Sequence, residues 1–166
     1  MSATIEPSPA THQARAGKYL TFRLGRETYG VEVLKVREII RLMEITSVPQ
    51  MPPYIKGVIN LRGKIVSVVD LRLKFGMPQS EPTDHTCIVV LQVTQSNGVK
   101  ANIGIIVDGV EEVVQINAAD IEDVPDFGSQ LSADYLLGMA KIKGRVKTLL
   151  DIDRMLAAAA AVPGAE

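Results

Sequence analysis

The chain has 166 residues, of which 46% are hydrophobic, 22% charged and 4% aromatic, with a formal net charge of −1. Such a chain suits one compact domain or two small lobes with an aliphatic core. It lacks the basic excess on which nucleic-acid binders rely for phosphate contacts. A single cysteine, Cys87, excludes an internal disulfide and fits a reducing compartment.

In chain order, residues 1–16 (rich in Ser, Thr, Ala and Pro) carry no apolar run of the signal-peptide kind and read as a disordered tail. YLTFRL alternates, with Leu20, Phe22 and Leu24 on one face, and TYGVEV alternates after it. VLKVREII breaks the period of two and suggests one helical turn. RLMEITSVP is expected to be a third strand, ended by Pro49. GVINLR and KIVSVVDL then form a hairpin signal around Arg62-Gly63. Asp70 is placed to cap a helix in DLRLKF. Residues 76–84, GMPQSEPTD, read as a linker. The strands TCIVVLQVT, KANIGIIVD, EEVVQI, GMAKIK and RVKTLLDI follow, with a long loop expected at 94–102. A last helix begins in DIDRMLAAAA, capped by Asp151, and 158–166 reads as a flexible tail.

The chain repeats itself. YIKGVINLRGKIVSVVDLRLKF (54–75) matches YLLGMAKIKGRVKTLLDIDRML (135–156): Tyr54 with Tyr135, Gly57 with Gly138, Gly63 with Gly144, Asp70 with Asp151, each 81 positions on. An earlier block, YGVEVLKVREII (29–40), matches IGIIVDGVEEVV (103–114) 74 positions on, with Glu38 falling on Glu112. The reading is two related lobes, 17–80 and 81–157, each a small closed β-barrel of five strands, with strand exchange between them left open. Closure removes exposed strand edges.

Catalytic and metal chemistry find little support. His12 lies in the tail and His85 in the linker, neither in a position that structure would hold as a base. No Cys/His cluster has zinc spacing. Glu111-Glu112 and Glu122-Asp123 read as solvated faces, and Cys87, inside an apolar run, as a small buried hydrophobe. A phosphate cradle wants several glycines opening a helix. Here Gly63 and Gly144 each join two strands, and Gly57 and Gly138 read as tight entries into strands. Arg62 is open between a solvated turn residue and a charged contact to a partner. Phe127, in VPDFGSQ, is open between folding back on its lobe and anchoring a partner.

Residues 18–156 resemble the chemotaxis coupling protein CheW family. The segments that carry this are YLTFRLGRETYGVEVLKVREI, IKGVINLRGKIVSVVDLRLKFG, IGIIVDGVEEV and LSADYLLGMAKI. The resemblance implies an all-β fold of two SH3-like barrels with short helices. It implies a non-enzymatic, cofactor-free cytoplasmic adaptor that couples methyl-accepting chemoreceptors to the regulatory domain of the histidine kinase CheA in membrane-associated arrays. A non-flagellar chemosensory pathway is the alternative setting. Carried over by position, Val36, Glu38, Asn60, Leu61 and Arg62 face the receptor, with Gly57 and Gly63 shaping that face. Lys56 and Ile65 are implied as one kinase contact, and Asp126 with Phe127 as a second that closes rings.

Overall fold

The computed structural model describes residues 15–95, 97–122 and 135–160. Its strands are β1 (Gly17–Leu24), β2 (Glu27–Glu32), β3 (Val36–Arg41), β4 (Ile55–Leu61), β5 (Lys64–Asp70), β6 (Cys87–Thr94), β7 (Lys100–Val107), β8 (Gly109–Ile116), β9 (Ile121–Glu122), β10 (Leu136–Ile142) and β11 (Arg145–Leu150). The helices are single turns: α1 (Leu71–Lys74), α2 (Ile152–Met155) and α3 (Ala157–Ala160). None is long and apolar enough to cross a membrane.

Two sheets form, ordered β8-β1-β2-β11-β10-β9 and β3-β6-β7-β5-β4. Neither is built from one contiguous segment. The hairpin β1–β2, from residues 17–80, lies between β8 and β11; β6–β7, from residues 81–157, lies between β3 and β5. The seams have the same form in both sheets: β1 antiparallel to β8 and β2 parallel to β11, against β6 antiparallel to β3 and β7 parallel to β5. The two lobes therefore exchange strands. The connections are short. One 3-10 turn, Val33–Lys35, links β2 to β3, and Asp108 alone links β7 to β8.

The third strand is VREIIR rather than RLMEITSVP. After β3 only Thr46 pairs, with Val58 in β4. That bridge matches β9, which pairs Glu122 with Met139 in β10, and it joins the two ends of the five-stranded order. The 3-10 turn at 33–35 accounts for the broken alternation in VLKVREII. The loop expected at 94–102 shrinks to five residues, because pairing runs out to Thr94↔Lys100.

Alternating residues of one strand serve different cores, since inner strands are buried on both faces. Leu20, Phe22 and Leu24 of β1 join Val89, Leu91 and Val93 of β6 in a large cluster between the sheets. Tyr19, on the other face of β1, packs with Ile116, Ile121, Ala140 and Leu149 inside one lobe. Ile59, Val66, Val68, Ile88 and Val90 fill the other. Cys87 packs partly buried against the central cluster, where burial pushes its thiol pKa up.

The echoed Tyr and Asp make the same contact twice. The carbonyl of Tyr54 accepts from the Asp70 N–H at 2.7 Å, and that of Tyr135 from Asp151 at 2.7 Å. Asp70 then caps α1 by accepting from Arg72 N–H at 3.0 Å, and Asp151 caps α2 by accepting from Arg154 N–H at 3.3 Å. Lys74 lies over both tyrosine rings, 4.2 Å from the centroid of Tyr54 and 5.2 Å from that of Tyr135.

Candidate partner-binding site

The β4–β5 hairpin turns through Arg62-Gly63, with φ of +52° and +86°. Leu61 pairs with Lys64, so the loop has two residues, both left-handed, as in a type I′ turn. Asn60 fastens it: its Oδ1 accepts from Gly63 N–H at 2.8 Å. Arginine is an unusual occupant of the first loop position, where Asn or Gly is preferred. Its guanidinium, on a largely exposed side chain, forms an ion pair with Glu38 in β3. The hydrogen bond to Glu38 raises the Arg62 pKa further, so the charge is permanent.

At Gly57 a bulge interrupts the pairing of β4 with β5. Its φ is +145°, and a Cβ there would sit 2.0 Å from the Thr46 carbonyl oxygen. Only glycine admits this approach, which holds Thr46 against Val58 of β4. Leu61 is half-buried against the core of its lobe and Val36 against the central cluster.

The Arg62–Glu38 pair therefore brings Asn60, Leu61, Arg62 and Gly63 of the β4–β5 hairpin onto β3, where the two ends of the five-stranded order meet, with Val36 at the start of β3. Two exposed apolar residues that sequence reasoning missed lie outside this cluster. Ile39 is exposed on β3, and Leu34, on the turn between the sheets, is 89% exposed. The alternation of β3 carried a signal for Ile39, since it shares a face with Arg37 and Arg41. Nothing in the sequence marked Leu34.

Lys56 and Ile65 are not brought together. Ile65 pairs with Asn60 near the hairpin tip, whereas Lys56 lies at its base beside Gly57. There Lys56 lines a cavity of about 210 Å³ with Met43, Asp70, Arg72 and Asp108. Asp126 and Phe127 lie outside the described residues. Among the described residues, no three or more His, Cys, Asp or Glu side chains are grouped to hold a metal ion.

A family model, the CheW-like domain, matches residues 18–160. The chemotaxis protein CheW of Klebsiella aerogenes is 38% identical over 139 residues, 84% of this chain and 81% of that protein. The chemotaxis protein CheW of Rhizobium meliloti is 34% identical over 145 residues, 87% of this chain and 90% of that protein. Among solved structures, the scaffolding protein TtCheW from Thermoanaerobacter tengcongensis superposes with a TM-score of 0.76 at 30% identity, covering 90% of this chain and 95% of that one.

Proposed function

This chain belongs to the CheW-like family, and we propose that it is a non-enzymatic chemotaxis adaptor joining chemoreceptor tips to the histidine kinase CheA. The observation that carries the receptor-facing assignment is the Glu38–Arg62 pair. It fixes a charged side chain on an exposed turn that local conformation alone would give to Asn or Gly. Around it, Val36, Asn60 and Leu61 supply a mixed apolar and polar rim, while Gly57 and Gly63 set the backbone. A helical hairpin laid across such a surface is a helix-in-groove mode of recognition.

Lys56 and Ile65, on the same hairpin but at its two ends, are proposed to contact the kinase along the length of β4–β5. Asp126 and Phe127 are proposed as the second kinase contact, closing rings of alternating kinase and adaptor. The adaptor works in the cytoplasm, recruited to membrane-associated arrays. Its affinity is that of a transient signalling contact of modest area.

The test is reconstitution with receptor cytoplasmic fragments and CheA, reading kinase autophosphorylation. Arg62→Glu sets a carboxylate beside Glu38 and reverses the surface charge. Receptor-dependent activation is expected to fall while the thermal transition stays put. Full activation by this variant would remove Arg62 from the receptor contact.

A further inference from the structure

Among the described residues, two ion pairs tie the halves of the chain together, and their charges are sorted by half. Arg72 of α1 holds Asp108, the link between β7 and β8, through Nε to Oδ1 at 2.9 Å and Nη2 to Oδ2 at 2.7 Å. Lys35, on the turn between β2 and β3, holds Asp153 of α2 at 2.8 Å. The two pairs occupy corresponding places. Arg72 and Asp153 are 81 apart, the spacing of the repeat, and Lys35 and Asp108 sit on the corresponding crossings between sheets. Each carboxylate also accepts one backbone N–H from a corresponding site: Asp108 from Gly25 at 2.7 Å and Asp153 from Thr94 at 2.8 Å. Both cations thus belong to residues 17–80 and both anions to residues 81–157. All four side chains are less than one-third exposed.

Because the halves exchange strands, the molecule is built like a swapped dimer whose two members lie in one chain. The same seams allow a competing assembly in which the first half of one copy pairs with the first half of another. In that assembly Arg72 meets Lys35 of the second copy. When second halves pair, Asp153 meets Asp108. Every one of these contacts is between like charges, whereas pairing of unlike halves makes both ion pairs attractive.

We propose that this sorted charge set is a pairing code: it directs the first half onto the second half and repels like halves, which keeps the chain a closed monomer rather than a strand-swapped oligomer. Discrimination through repulsion in the wrong assembly is how related interfaces are kept apart. The connection between α1 and β6 reinforces the choice by holding the correct half at high effective concentration. The code matters most when chains are crowded, where swapping is otherwise an easy route to dimers.

Three variants of the full chain test this. Arg72→Asp with Asp108→Arg keeps both ion pairs but leaves each half with one cation and one anion, so like halves now attract. Lys35→Asp with Asp153→Lys does the same at the other pair. The quadruple variant carries all four changes and restores sorting, with anions in the first half and cations in the second. Each protein is refolded from denaturant at dilute and at millimolar concentration and sized by chromatography with light scattering. Both double variants are expected to raise the oligomeric fraction on the order of tenfold over wild type at the high concentration. The quadruple variant is expected to return to monomer, although it loses the same two backbone hydrogen bonds. Monomeric double variants would overturn the proposal. So would a quadruple variant as oligomeric as the doubles, since lost stability would then be the cause.

Discussion

The hairpins β4–β5 and β10–β11 solve one backbone problem twice, with different side chains. Both turn through a cation and a glycine with positive φ, Arg62-Gly63 and Lys143-Gly144. Both lean the cation on an acid of an earlier strand, Glu38 of β3 or Glu112 of β8. Both also pass a glycine at φ near +145° beneath a neighbouring carbonyl. They differ in what surrounds this frame. Asn60 fastens the first turn, and Lys141 stands in its place in the second. Val66 is buried in the first lobe, and Lys147 is buried at the same place in the second. Shared residues thus report on the fold, and unshared ones on what each lobe does or tolerates.

The largest effects should come from the shared frame. Gly57→Ala puts a Cβ 2.0 Å from the Thr46 carbonyl oxygen, while Gly138→Ala puts one 2.8 Å from that of Glu122. Both carry the strain of positive φ, so both destabilise. The first should cost roughly 3 kcal/mol or more, and the second measurably less. Urea denaturation of the two variants reads the difference. Equal costs would mean that the dihedral, and not the close approach, requires glycine.

Next comes the buried contrast. Lys147 reaches Glu111, 3.5 Å away on β8. In the first lobe the residue corresponding to Glu111 is Arg37. Val66→Lys would therefore bury an ammonium group with a cation where its partner should be, at a cost of about 2–3 kcal/mol. Lys147→Val exchanges a buried charge for an apolar side chain and leaves Glu111 able to reach water. Its stability should stay within about 1 kcal/mol of wild type. Denaturation midpoints of the pair test whether the lobes differ in the way their sequences do.

Much of this was legible in the sequence. The glycine, tyrosine and aspartate echoes predicted two lobes, two matching hairpins and two helix caps. Short-range rules fix these features: turn chemistry, caps and alternation. The partner of each strand is not local. Nothing within β1–β2 states that it lies between β8 and β11, because its inward-facing residues suit either lobe. The third strand was misplaced because RLMEITSVP has the right composition, yet beyond Arg41, the last residue of β3, it makes one bridge before Pro49. At the candidate site, the sequence drew attention to Arg62 without finding its partner, since Glu38 lies 24 residues away and closes on it only when the barrel does.

A smaller effect at Asp108 is read through pH. Burial alone would raise the Asp108 pKa. The hydrogen bonds from Arg72 and Gly25 outweigh it and hold that carboxyl below its usual value. A carboxyl depressed in the folded state contributes stability that is complete above its unfolded pKa. That stability is lost as pH falls through the lower folded value. Arg72→Met should reduce stability by about 1 kcal/mol at neutral pH and by progressively less as pH falls below the ordinary carboxyl range, flattening the acid limb of the stability curve. Parallel curves for variant and wild type would show that Arg72 acts through packing alone.

The smallest expected change asks whether Asn60 is kept for the turn or for a partner. Its Oδ1 takes the Gly63 N–H, and Lys141 offers no such acceptor to Gly144. Lys141→Asn should therefore give the second hairpin the fastening of the first and stabilise the protein by roughly 0.5 kcal/mol. Asn60→Ala should cost about as much. If that loss is matched by no change in receptor-dependent kinase activation, Asn60 serves the turn and only presents Arg62. If activation falls much further than the small loss of stability predicts, the asparagine itself meets the receptor. The second lobe then lacks it because Lys141 faces no such partner.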